Sequence, residues 1–261
     1  DAAEEPSLAA VAVDVDGSPL VIEHLNPRVF RLVDGGFEIV AGSDEPAIGG
    51  SRSATVGPDG TIYMTGLGPS GSTFVWAIRG GTPEPFAGTG PNGTAGDGGP
   101  AIDANFYEPE GLAAPSDGSL LVADRNNQRV VRIGPDGVVE TLAGGRRFDD
   151  RPDSEALEAP SDVAVDLDGE VLVLERPPSA DGPPGIYRIV APDEVELVLG
   201  SDGYCEPDIE NGESEACAAQ EYDADDLYRF DVAADGSYWL VHTSAILRFS
   251  DGKVEAILAI S

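Results

Sequence analysis

Apolar and polar positions alternate in short runs along the whole chain. Runs such as "SLLVA" (119–123) and "EVLVLE" (170–175) are aliphatic or β-branched and are bounded by Asp, Gly and Pro. That is the pattern of strands ended by turns. No window of useful length repeats its apolar residues at the helical period, so the chain is read as β throughout. Five segments share one plan: 9–42, 53–88, 110–144, 161–200 and 228–260. Each opens with an apolar stretch and an Asp-Gly pair: Asp16-Gly17, Asp59-Gly60, Asp117-Gly118, Asp168-Gly169 and Asp235-Gly236. A second apolar stretch, a polar loop, a third stretch, a second turn and a fourth stretch follow. Asp-Gly between β-rich runs marks a hairpin, because Gly adopts positive φ without steric cost.

Four short strands and three turns make one antiparallel sheet of roughly 35 residues, and serial sheets of that kind are propeller blades. The predicted fold is all-β: a β-propeller of four-stranded antiparallel blades over 7–261, with 1–6 as a linker or tail. Five blades are expected, with six as the alternative. The stretch 201–227 is too short and acidic to supply a sixth.

The segment from Gly88 to Gly144 contains "GDGGPA", then "A.F..P.GLA", then "DG.L.VAD..N.RV..I". It resembles a bacterial NHL-repeat propeller, and the other four repeats resemble it in degenerate form. Such domains are usually six-bladed, a point from which this sequence departs. Some relatives of this type are lyases with clustered histidines. This chain has only two histidines, His24 and His242, which argues against such a cluster.

Composition narrows the partners. The 261 residues hold 48 acidic and 15 basic side chains, a formal charge of −33. That balance excludes a nucleic-acid phosphate backbone and an anionic membrane surface. A hydrophobic fraction of 41% still suffices for a core. No apolar run approaches the roughly 18 residues that span a bilayer, so direct membrane insertion is not expected. The chain begins "DAAEEP", which suggests a processed protein or an excised domain, and membership of a larger membrane-anchored chain is left open. Cys205 and Cys217 are read as a disulfide closing an acidic loop. This would remove about 3 kcal/mol of unfolded-state entropy and suits an extracellular or envelope setting in a bacterium.

The long loops point to function. The stretches 43–52, 89–109, 145–160 and 201–227 connect one blade to the next, and 176–185 joins the second and third strands of its blade. In a propeller all of these project from one face, where binding residues reside on a rigid scaffold. The expected function is a non-catalytic extracellular binding or sensor module taking a protein or glycan ligand on that face. The candidate ligand-binding residues are His24, Arg125, Asn126, Phe148, Tyr204, Tyr222 and His242. The chain is expected not to be an enzyme, with no catalytic or metal residue assigned. Two alternatives stand beside this: a metal-assisted lyase or hydrolase with its site in the central channel, and a structural spacer of a larger envelope protein.

Three motifs are read as local structure. "GTGPNG" (88–93) fits G-x-G-x-x-G, but the following "TAGDGGP" cannot start the helix a dinucleotide site needs. "DVDGS" and "DLDGE" resemble oxygen-rich loops but lack the six to eight oxygens of calcium. No cofactor is therefore expected, with calcium left open. The recurrent Arg31, Arg132, Arg188 and Arg248 on the third strands are read as outward, solvated or inter-blade charges. Asp124 and Arg129, like Glu23 and Arg28, are spaced to pair across the second loop of their blades.

Overall fold

The structure is a computed structural model. It describes residues 8–24, 28–33, 36–41, 50–68, 73–88, 91–145, 157–176, 184–192, 194–200, 217–218, 227–243 and 245–259. The described chain forms five sheets. The first is β1 (Leu8–Val13), β2 (Pro19–Glu23), β3 (Val29–Val33) and β4 (Gly36–Ala41). The second is β5 (Ala54–Val56), β6 (Ile62–Leu67), β7 (Thr73–Arg79) and β8 (Thr82–Ala87). The third is β9 (Pro109–Ala113), β10 (Leu120–Asp124), β11 (Arg129–Ile133) and β12 (Val139–Gly144). The fourth is β13 (Pro160–Val165), β14 (Val171–Glu175), β15 (Gly185–Ala191) and β16 (Glu194–Leu199). The fifth is β18 (Leu227–Val232), β19 (Tyr238–His242), β20 (Ala245–Ser250) and β21 (Lys253–Ala259). A two-residue strand, β17 (Cys217–Ala218), pairs with the outer edge of this last sheet. The fold is an all-β, five-bladed propeller, as the repeats predict. Where the described chain enters 201–227, it adds an edge to the fifth blade.

The chain divides into two compact units. One comprises 1–127 and 131–140, the other 128–130 and 141–261. In the first, Leu20, Ile22 and Val29 pack with Met64, Trp76 and Ile78 in one core. Tyr63, Val75 and Ala77 pack with Leu120, Val122 and Val131 in a second. In the other unit, Leu172, Leu174 and Ile186 pack with Phe230, Leu240 and Leu247. Burying each such side chain contributes roughly 1.5–3 kcal/mol. Alternate residues of each central strand serve these cores, which is why the sequence pattern has a period of two.

Each blade clamps its own first turn. In the fifth, the Gly236 N–H donates to Ala233 O at 2.9 Å, and Gly236 takes φ 82°. The Asp235 carboxylate accepts the Ser237 N–H at 3.0 Å and the Ser237 hydroxyl at 2.6 Å. Arg248, on the third strand, then donates to Asp235 Oδ2 at 2.8 Å. Arg31 pairs with Asp14 and Arg132 with Asp117 in the same manner. Arg188 reaches Glu170 at 3.2 Å. These arginines stay about a third exposed, as expected of outward charges, and each also closes the turn of its own blade. Arg188 in addition bonds Tyr238 of the next blade, as an inter-blade charge would. These bonds hold the Asp16, Asp59, Asp117 and Asp235 carboxyls below the usual range. The first cause is the Ser18 or Thr61 backbone N–H for the former two, and the Ser119 or Ser237 hydroxyl for the latter two. The same bonds occupy the acidic turns in which calcium was left open. Asp166 Oδ1 accepts the Asp168 and Glu170 N–H groups at 3.0 and 2.9 Å.

A second recurrent device lies at the other end of the first strand. In four blades that strand carries a register shift near its start. Opposite the shift stands the last residue of the second strand: Glu23, Asp124, Glu175 or His242. A bulge re-aims side chains and often flanks a functional site. Here it sets a polar group at the strand end.

Candidate functional site

A cavity of about 310 Å³ opens in the first unit, lined by His24, Arg52, Thr65, Asn92, Tyr107 and Glu108 among others. The groups come from five places in the chain.

His24 follows β2. Its carbonyl accepts the Gly50 N–H at 2.9 Å, where Gly50 turns with φ 63°. Its ring Nδ1 lies 2.9 Å from Ser51 O. A carbonyl only accepts, so Nδ1 carries the hydrogen and Nε2 is the nitrogen left to take up a proton. Arg52 comes next. Its N–H and that of Ser53 both reach the buried Thr65 hydroxyl, at 3.4 and 3.1 Å. The Arg52 guanidinium donates to Glu110 Oε1 at 2.7 Å and stands 3.6 Å from Glu108 Oε2. Arg125 donates to the same Glu110 oxygen at 2.9 Å. Two guanidiniums thus face two carboxylates, and the cluster carries no formal net charge.

Tyr107 and Glu108 form a corner ahead of β9. Glu108 has φ 52°, the left-handed region, and precedes Pro109. For a residue with a Cβ this costs about 1–2 kcal/mol, and such outliers cluster at functional sites. The Tyr107 N–H donates to Asp124 Oδ1 at 2.8 Å, and Tyr107 O accepts the Asn126 N–H at 3.0 Å. Asn127 donates to Asp124 Oδ2 at 2.7 Å and to Gly93 O at 2.6 Å.

The expected ligand residues therefore separate. His24 lines the cavity. Arg125 and Asn126 stand behind it, one holding Glu110 and the other the Tyr107 backbone. His242 belongs to the second unit and ends β19, opposite Leu227. It occupies the register position of Glu23, one residue before that of His24, so the two histidines are not equivalent. Phe148, Tyr204, Tyr222 and Cys205 lie outside the described residues, and of Cys217 only its backbone pairing with Val254 is described. Arg52, Tyr107 and Glu108 carried no motif that distinguished them from loop residues. The sole signal was their place in the loops between blades. The expected Glu23–Arg28 pair forms at 2.7 Å.

Among the described residues, no three His, Cys, Asp or Glu side chains are grouped to hold a metal. Among the described residues the cavity is lined by two such donors, His24 and Glu108. Catalytic zinc takes three protein ligands, so these two alone do not complete a zinc site. Among the described residues no helix is long and apolar enough to cross a membrane.

A model of the NHL repeat matches residues 106–133, the stretch holding the Tyr107 corner and Asp124 to Asn127. The chain is similar to a gluconolactonase from Xanthomonas campestris, at 15% identity and TM-score 0.65, covering 97% of this chain and 76% of that one. It is similar to virginiamycin B lyase from Staphylococcus aureus, at 16% identity and TM-score 0.56, covering 97% and 70%. It is also similar to a PQQ-bound aldose sugar dehydrogenase from Streptomyces coelicolor, at 15% identity and TM-score 0.58, covering 98% and 82%. These findings correct the expectation of a non-catalytic binding or sensor module that is not an enzyme. These three solved propellers are enzymes by name, which tells against that expectation. They also widen the cofactor question beyond calcium, since one of these structures holds PQQ.

Proposed function

The chain belongs to the NHL-repeat β-propellers, and we propose that it is an enzyme, a hydrolase acting on a small polyhydroxylated lactone. The observation that carries this reading is the convergence of imidazole, guanidinium, phenol and carboxylate in one cavity of about 310 Å³. That volume suits one sugar-sized ring. The mixture of donors and acceptors with balanced charge suits a neutral, hydroxyl-rich substrate rather than an ion.

The chemistry follows from the groups present. His24, its tautomer set by Ser51 O, takes a proton from water at Nε2 as that water attacks the lactone carbonyl. Arg52 stabilises the oxygen on which negative charge develops. The ring C–O bond then breaks, and the imidazolium returns its proton to the departing oxygen. Glu108, beside Arg52, accepts substrate hydroxyls, and Tyr107 offers its ring as one wall.

The test is hydrolysis of glucono-δ-lactone by the purified chain, followed by acid release. Incorporation of ¹⁸O from water into the product separates hydrolysis from elimination, the lyase reading. Absence of both reactions over a panel of sugar lactones sinks the proposal.

We further place the protein outside the cytoplasm, with a Cys205–Cys217 disulfide. The support is the cysteine pair within one short acidic stretch. Thiol titration of the denatured, unreduced protein should find none. Two titratable thiols would refute the bridge.

A further inference from the structure

Behind the groups that would touch substrate, the structure assigns Asp124 the role of positioning residue for the Tyr107–Glu108 corner. This rests on the reading of the cavity as the active site. Asp124 is fully buried, at 0% exposure, at the end of β10 and opposite Pro109 across the register shift. Its two oxygens face two walls. Oδ1 accepts the Tyr107 N–H at 2.8 Å, one residue before Glu108. Oδ2 accepts Asn127 Nδ2 at 2.7 Å, and the same Nδ2 reaches Gly93 O at 2.6 Å, one residue after Asn92.

Glu108 needs such support. Its left-handed backbone is unfavourable for a side chain with a Cβ and persists only where the surroundings over-determine it. The Asp124 and Asn126 bonds fix both the N–H and the C=O of the preceding residue. With the corner so held, the Glu108 carboxylate stays 3.6 Å from Arg52. The same register position serves other ends elsewhere: Glu23 binds Arg28, and Glu175 accepts the Glu158 N–H at 2.9 Å. The bulged strand end is thus a general fixture of the blades, and the third blade applies it to the cavity.

The test is Asp124→Asn. An amide has one acceptor oxygen, so it cannot serve both Tyr107 N–H and Asn127 Nδ2. Per folded molecule, kcat for glucono-δ-lactone should fall on the order of tenfold to a hundredfold, the loss expected for an ångström-scale misplacement. KM should change by less than about threefold. A merely structural aspartate would lower thermal stability and leave kcat of the folded fraction intact, and that result overturns the proposal. Asn127→Ala is the second variant. It leaves the Asp124–Tyr107 bond in place, so amide resonances near Gly93 should move while that of Tyr107 stays. Equal displacement of both overturns the two-wall assignment. Should the wild type turn over no lactone, the cavity reading fails, and Asp124 is judged by amide exchange alone. Exchange at Tyr107 that is about tenfold faster or more in Asp124→Asn upholds the clamp, and unchanged exchange overturns it.

Discussion

Arg52 and Glu110 lie 58 positions apart in the chain and meet at 2.7 Å through a single carboxylate oxygen. Arg125 shares that oxygen at 2.9 Å. Glu110 is buried, at 8% exposure, while the arginines reach outward, one of them into the cavity. Glu110 therefore fixes the place of the cation that the proposed reaction needs.

Glu110→Ala should weaken the fold and the site together. The loss of stability should be about 1–2 kcal/mol, less than for a fully buried pair because water screens both guanidiniums. At roughly 2–4 °C per kcal/mol for a chain of this size, calorimetry would register it. Lactone turnover should fall as well, since Arg52 loses its anchor.

His24→Asn separates chemistry from folding. The Asn amide can still donate to Ser51 O, so the circular dichroism spectrum and melting temperature should stay near wild type. No group remains to accept the proton of the attacking water, and turnover should fall by about 10²- to 10⁴-fold. Turnover within about twofold of wild type would remove His24 from the mechanism.

Asp162 gives the second unit a pH dependence of its own. Its carboxyl is 5% exposed, and burial pushes it up to about 6, against a smaller opposing pull from Arg229. The Phe230 N–H donates to it at 3.0 Å. The folded state binds this proton more tightly than the unfolded chain, where the group returns towards 3.8. Its stabilising contribution is thus complete below 3.8 and is lost as pH rises through about 6. The shift corresponds to about 3 kcal/mol. Asp162→Asn removes this term, so its melting temperature relative to wild type should climb between pH 4 and pH 7. A constant offset across that range would show that Asp162 does not titrate as placed.

Two glycines should respond differently to alanine. Gly144 has φ 77°, and an added Cβ would sit 2.1 Å from Gln128 O, a backbone atom that cannot step aside. Gly17 has φ 85° but meets nothing within 4 Å. Gly144→Ala should cost about 3 kcal/mol or more, and Gly17→Ala only about 1–2 kcal/mol. Urea midpoints would rank them.

The blades were legible because their signals are local. Asp235-Gly236-Ser237 states its turn within three residues, and a strand such as Leu120–Asp124 states its buried face by composition. The cavity was not, because its members meet only after folding. His24, Arg52, Asn92 and Glu108 belong to four separate segments, and nothing in the order of residues joins Arg52 to Glu110. Arg125 and Asn126 stood out for the opposite reason: they sit in the most regular repeat, and that regularity reflects a load borne behind the cavity rather than contact inside it. The arginines of the third strands were visible as a period, yet their partners lay two strands away, a distance that only the hairpin geometry closes.

That last pairing bears on how such a chain arises. In the first, third, fourth and fifth blades, Arg31, Arg132, Arg188 and Arg248 each meet a carboxylate of the same blade. A blade copied by duplication brings along both halves of its clamp, and a blade deleted takes both away. Neither event strands a charge on the neighbour, so blade number can drift while each sheet keeps its own turn intact.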